Sequence, residues 1–249
     1  MDDFFSKKVS SIFSDCYKKD KPYVFGFLSL AEQEIVMIEA KKYPSLILEF
    51  DGGIRNSEYQ KAIVKPYEMT VDNEITILKI SYNPRYLTLT HRILLGCLMH
   101  LGISRDRVGD IVIDDGVAFV AVSDSISDFI ISELTTISHQ SVTINKHYDE
   151  VILEDKGIEK TIFVASNRLD SIISASYNIS REDSSLLINK EMVKVNQKIA
   201  IKSFQNLNPC DIISVAHKGR IKLLEISGLS RSGRIIIKVK IYRWKEQVR

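Results

Sequence analysis

Arg168 and Arg181 each stand where a helical pattern opens, in Ser166-Asn167-Arg168-Leu169-Asp170 and Ile179-Ser180-Arg181-Glu182-Asp183. The first turn of a helix carries the positive end of the macrodipole and unpaired backbone N–H groups, so it favours anions and gives a cation no stability. Arginines placed there are expected to look outward, toward phosphate. Further on, Lys194, Lys198 and Lys202 alternate with Val193, Val195, Ile199 and Ile201, the pattern of a strand with one packed face and one row of ammonium groups. Lys218, Arg220 and Lys222 precede and open another strand, and Arg231 and Arg234 lie in the Ser/Gly-rich loop Ser227–Arg234. With Ser180 and Lys190 these make the candidate RNA-contacting set: Arg168, Ser180, Arg181, Lys190, Lys194, Lys198, Lys218, Arg220, Lys222, Arg231 and Arg234. The chemistry is neutralisation of phosphates by positioned cations.

Nothing comparable suggests bond-making chemistry. Asp114-Asp115 sits at a hairpin tip and Asp51 precedes Gly52-Gly53, so turn formation explains these carboxylates. His91 and His100 are nine residues apart, too far for a same-turn helical metal site. Cys16, Cys97 and Cys210 are odd in number and widely spaced, which fits neither a disulfide framework nor zinc. No phosphate-cradling glycine loop, nucleophile elbow or metalloprotease helix motif occurs. No catalytic residue, metal site or cofactor is expected.

The elements that position the cations follow from charge and periodicity. Up to Gly157 the chain has 17 Lys+Arg against 24 Asp+Glu, a net −7, and the remainder has 17 against 8, a net +9. This asymmetry fits an acidic scaffold carrying a polyanion-binding module. The chain is expected to be α+β, with an N-terminal α/β unit over 1–74, a split-βαβ (ferredoxin-like, RRM-like) domain over 75–150, a linker over 151–160 and the basic module over 161–249. The second part reads strand Ile75–Tyr82, helix Thr90–Leu101, hairpin Asp110–Val122, helix Ser125–Ile137 and strand Ser141–Lys146, with Thr90 and Ser125 as caps and Asp115-Gly116 as the turn. Gly116–Val122 echoes the RNP1 strand of an RNA-recognition motif, but Asp115 replaces the expected base and only Phe119 could stack. A plain core strand is the favoured reading. In the basic module Asn167 is expected to cap a helix that buries Leu169, Ile172, Ile173 and Tyr177, Ser180 with Asp183 opens a second helix, and Trp244 packs the last strand.

The blocks Arg168-Leu169-Asp170, Ser180-Arg181 and Val193-Lys194-Val195-Asn196 resemble the S-four RNA-binding domain, although Glu191, Gln197 and Cys210 stand where that domain usually has glycine. The likeness extends to Phe27–Gln33, Phe50-Asp51-Gly52-Gly53, Thr90–Gly96, Gly109-Asp110-Ile111 and Lys218–Ile226, and over nearly the whole chain it resembles the bacterial YlmH family. Ile93 departs from the Asp that commonly follows His-Arg in that family. The resemblance implies a ribosome-associated quality-control factor that binds large subunits obstructed by peptidyl-tRNA and helps extend the stalled chain with alanine. The expected partners are ribosomal RNA of the large subunit, tRNA and quality-control proteins. A role at the division septum is also suggested for the family.

Two other function classes remain open. The S-four-type domain also accompanies pseudouridine synthases and methyltransferases, but the front part lacks a recognisable catalytic or cofactor signature; a cell-division interaction protein is the third reading. The acidic start and the short longest apolar run, Ile93–Met99, argue against a signal peptide or membrane insertion, so a cytoplasmic, ribosome-associated monomer is expected.

Overall fold

Val9, Phe13 and Cys16 recur at helical spacing along α1 (Asp2–Lys19) and are all buried, so this charged opening segment packs as an amphipathic helix. The computed structural model describes residues 2–67, 69–154 and 157–243, and the chain divides into two compact units, 1–154 and 155–249. In the first unit α1 is followed by β1 (Tyr23–Leu28), α2 (Leu30–Ala40), β2 (Leu46–Asp51) and β3 (Gln60–Pro66), with the strands in the order β1-β3-β2. Next come β4 (Ile75–Ser81), α3 (His91–His100), β5 (Val108–Asp114), β6 (Val117–Ser123), α4 (Ser127–Glu133), the short strands β7 (Thr136–Ile137) and β8 (Gln140–Ser141), and β9 (Thr143–His147). The sheet order β5-β6-β4-β9 with antiparallel neighbours is the split-βαβ plan.

Local chemistry sets most of these boundaries. Thr90 Oγ1 accepts the Ile93 amide at 3.3 Å and starts α3, while Gly116, at φ +76°, turns the β5–β6 hairpin. The helix expected over Ser125–Ile137 is shorter. A 3-10 turn occupies Asp124–Ile126, Ser125 does not cap, and the helix gives way to the β7–β8 hairpin, whose turn residues Ser138 and His139 are both left-handed at φ 48° and 64°. Ser141 belongs to that hairpin, so the last strand begins at Thr143 rather than Ser141.

Residues of the 1–74 and 75–150 segments pack together within this unit. The Asp110 carboxylate on β5 accepts the amides of Glu58 and Tyr59 at 2.7 and 2.8 Å. Burial pushes the Asp110 carboxyl up, partly offset by those two backbone bonds. Gln33 bridges the carbonyls of Leu28 and Glu58, the buried Lys61 ammonium reaches the Glu74 carbonyl at 2.8 Å, and Gly109 lies so near the Phe27 ring that a Cβ there would be 2.5 Å from it. Three of the blocks that carry the family resemblance, at Phe27–Gln33, Asp51-Gly52-Gly53 and Gly109-Asp110, thus contribute to this packing or its turns.

The second unit contains β10 (Ile158–Val164), α5 (Leu169–Tyr177), α6 (Arg181–Asn189), β11 (Val193–Val195), β12 (Lys198–Ile199), β13 (Ile212–Val215), β14 (Gly219–Leu229) and β15 (Ile235–Arg243). Its six strands run in the order β10-β15-β14-β13-β11-β12. β10 begins inside the stretch read as linker because Ile162 and Val164 point into the core, opposite Ile237 and Ile235 of β15. Leu169, Ile172, Ile173 and Ile188 of the two helices pack on Val193, Ile213, Ile221 and Val239 of the sheet. Trp244 lies outside the described residues. No described helix is long and apolar enough to cross a membrane.

Candidate nucleic-acid interface

The corner between α5 and α6 is organised by a carboxylate. Asp170 Oδ1 accepts Arg168 Nε at 3.2 Å, and Oδ2 accepts Arg168 Nη2 at 2.9 Å and Arg181 Nη2 at 3.1 Å. Oδ1 also accepts the Ser171 amide at 2.8 Å. The Asp170 side chain is 5% exposed, against 37% for Arg168 and 53% for Arg181, so a buried anion holds two cations at the surface. Burial pushes the Asp170 carboxyl up, but the hydrogen bonds and charges of Arg181 and Arg168 outweigh it and leave the group below its ordinary value. Each guanidinium has five N–H donors and uses only part of them on Asp170, leaving a pre-oriented edge for an anion.

This geometry corrects two expectations. Arg168 and Arg181 do not simply point to solvent; they share Asp170. Asn167 does not cap α5 either: Arg168 occupies the N-cap position, and Asn167 Nδ2 donates to the Leu207 carbonyl at 3.2 Å. The amides of Leu169 and Asp170 donate to the carbonyls of Gln205 and Ser203, at 2.9 and 3.1 Å, so a distant loop supplies the cap and these two amides are already engaged. At α6 the expected cap is present, with Ser180 Oγ accepting the Asp183 amide at 2.9 Å. Lys160 donates to the carbonyl of Ala175 at 2.9 Å and to Asn178 Oδ1 at 3.1 Å, placing a cation at the C-terminus of α5.

A second set of cations shares one sheet face. Lys194 is paired with Ser214, Ser214 with Arg220 and Arg220 with Tyr242, while Lys222 lies between Ile212 and Lys240. Opposed residues of an antiparallel sheet project to the same side, so Lys194, Arg220, Lys222 and Lys240 lie on one face. Val193, Val195, Ile213, Val215, Ile221 and Leu223 lie on the other, in the core. The single strand expected through Lys202 is instead a hairpin: Asn196 and Gln197 are left-handed at φ 48° and 66° and reverse the chain. Its alternation ends there, leaving Ile199 and Ile201 exposed. Lys198 is on the returning strand, Lys190 caps the C-terminus of α6, Lys218 lies in the β13–β14 turn, and Arg231 and Arg234 are exposed at the β14–β15 tip. β14 runs further than expected, to Leu229, so that tip is only residues 230–234.

The sequence shows Asp170 only as part of the Arg-Leu-Asp block, because only the fold brings Arg181 to it. Lys240 was also absent from the candidate set, although its alternation with Val239 and Ile241 was visible in the sequence. Glu191, Gln197 and Cys210, which replace expected glycines, all have left-handed backbones, at φ 57°, 66° and 75°.

In the first unit Phe119 is half-buried against His147, with ring centroids 4.8 Å apart, and its sheet face also packs with Phe27, Ile54, Ala121 and Val151. The RNP1-like strand is thus partly covered within its own unit. Asp51 Oδ1 accepts the Gly53 amide and Asp114 Oδ1 the Asp115 amide, each at 2.8 Å, as turn residues do. His91 and His100 are exposed at opposite ends of α3, and no group of three potential metal ligands occurs among the described residues.

Residues 69–150 match the family described as "Putative RNA-binding domain in YlmH". That match spans about a third of the chain. The chain is also 29% identical over 211 residues to the "Ribosome-associated protein quality control protein P2" of Bacillus subtilis (strain 168), covering 82% of this chain and 81% of that protein. A solved structure, "Cell division protein ylmH from Streptococcus pneumoniae", matches with a TM-score of 0.51 and 24% identity over 59% of this chain and 91% of the other. The structural likeness bears on the fold. The YlmH-type domain is the β4–β9 region, whereas the two arginines and the lysine-bearing sheet face lie beyond it, in the second unit.

Proposed function

We propose that this chain is a cytoplasmic RNA-binding protein of the YlmH family that acts on the ribosome by position and without catalysis. The observation that carries the reading is the α5–α6 corner, where buried Asp170 presents Arg168 and Arg181 in a fixed arrangement. Ordering such long side chains on binding costs about 0.5–1.5 kcal/mol each, and an arrangement already held by Asp170 avoids part of that cost. The face with Lys194, Arg220 and Lys222 supplies a second phosphate-binding surface. Residues 161–249 are read as an S-four-type domain, a reading supported by the left-handed backbone at Glu191, Gln197 and Cys210.

The ribosome-associated relative supports the finer role. In that role the protein binds large subunits holding peptidyl-tRNA, with ribosomal RNA on one cationic surface and tRNA on the other, and so favours extension of the stalled chain. Quality-control proteins are the further partners. The test is co-sedimentation of purified protein with large subunits that hold peptidyl-tRNA and with vacant ones. Preferential binding to occupied subunits is expected; equal binding to both removes the stalled-subunit role even if general RNA binding remains.

A further inference from the structure

The segment that caps α5 also displays an aromatic side chain that the core does not use. Ala200 and Leu207 anchor its ends: both are buried, the Ala200 amide donates to the Val193 carbonyl at 2.9 Å, and the Leu207 amide donates to the Asn167 carbonyl at 3.2 Å. Between them, the carbonyls of Ser203 and Gln205 receive the amides of Asp170 and Leu169. The backbone of Phe204 is therefore held on both sides against the turn that begins at Arg168. Phe204 is nevertheless 61% exposed, and Ile201 nearby in sequence is 81% exposed. An exposed phenyl group gains little from folding, so burial does not account for Phe204.

The surroundings favour one class of occupant. Lys202 is exposed on the same segment and Lys198 on the strand just before it, and Arg168 and Arg181 meet at the helix turn that the segment caps. An exposed apolar ring on a segment tied to a cation-bearing turn is complementary to a nucleotide, whose phosphate is anionic and whose base has an apolar face. A base inside a regular RNA duplex is covered on both faces by its neighbours, whereas an unpaired base can leave the stack. Phenylalanine has no hydrogen-bonding group for the base edge, so such a contact reads the availability of a base rather than its identity.

We propose that Phe204 is a stacking platform for an unpaired nucleotide whose neighbouring phosphate is held by Arg168 and Arg181. The inference rests on the reading of this unit as an RNA binder and adds the kind of RNA it takes: a structured RNA with a bulged or looped-out base beside a helix.

The test uses the full chain and two RNA hairpins, one fully paired and one carrying a single bulged 2-aminopurine. Wild-type protein is expected to bind the bulged hairpin more tightly and to quench its fluorescence by stacking. Phe204→Ala should weaken binding to the bulged hairpin by about 5- to 150-fold while leaving the paired hairpin unaffected, and Phe204→Trp should retain both affinity and quenching. An unchanged thermal midpoint in Phe204→Ala confirms that the fold is intact. Wild-type affinity of Phe204→Ala for the bulged hairpin, without loss of quenching, would overturn the proposal and leave Phe204 to a protein contact. Failure of the wild type to bind either hairpin would overturn the RNA-binding reading itself, and this inference with it.

Discussion

Replacing Asp170 by asparagine removes a charge that three side-chain hydrogen bonds from two arginines converge upon, while changing the shape of the side chain little. Breaking a fully buried ion pair from one side costs about 3–5 kcal/mol, but Arg168 and Arg181 are 37% and 53% exposed and remain hydrated when Asp170 is neutralised. With that solvation discounted, the expected loss is about 1–2 kcal/mol. For a domain of this size that corresponds to a thermal shift of about 4–16 °C in the transition of residues 155–249. The pH dependence gives a second readout. The folded carboxyl lies below its ordinary value, so the stabilisation is fully present above the unfolded pKa of about 3.9 and is lost as pH falls through the folded pKa. Calorimetry of wild type and Asp170→Asn should show a constant gap above about pH 5 that narrows below about pH 4. Equal midpoints at neutral pH, or a gap that persists undiminished in acid, would refute the role given to this carboxylate.

Other perturbations test the remaining structure. Glu191→Gly and Cys210→Gly should each raise stability by about 0.5–1 kcal/mol, because relief of the left-handed strain outweighs the added flexibility of the unfolded chain; a lower chemical-denaturation midpoint would contradict this. Asp110→Ala leaves the amides of Glu58 and Tyr59 without their acceptor and should destabilise the 1–154 unit by about 2–4 kcal/mol in urea unfolding, with Asp110→Asn costing less. A fragment of residues 1–154 should melt cooperatively on its own and bind structured RNA far more weakly than the full chain; undiminished affinity would move the principal RNA contact to the YlmH-type domain.

Several local signals located elements and their ends, although the equally local Ser125 with Asp128 did not, because a 3-10 turn precedes α4. Thr90 caps α3, Ser180 caps α6, and Asp115-Gly116 turns a hairpin because each device needs only three or four neighbouring residues. The βαββαβ order was legible for the same reason. Much of the rest depended on distant chain. The cap of α5 comes from residues 203–205, more than thirty positions along, and it displaced Asn167 from the role its identity suggested. The alternation of valines, isoleucines and lysines after Val193 looked continuous because Asn196 and Gln197 lack the glycine usual in so tight a turn. The cationic candidates were visible as residue types, but not their grouping: sheet register aligned Lys194 with Arg220, and helix packing brought Arg181 to Asp170.

The most direct test of the central claim is the salt dependence of RNA binding in charge-neutralised variants. If about 4 to 7 of the proposed cations meet phosphates, the slope of log affinity against log salt for the wild type should be about −3 to −6. Filter binding to large subunits holding peptidyl-tRNA, measured at several salt concentrations, should give this slope and a reduction in its magnitude of about 1 each for Arg181→Gln and Lys194→Gln. Folded variants with the wild-type slope, or a wild-type slope near zero, would contradict the assignment of the helix corner and the sheet face to RNA phosphates.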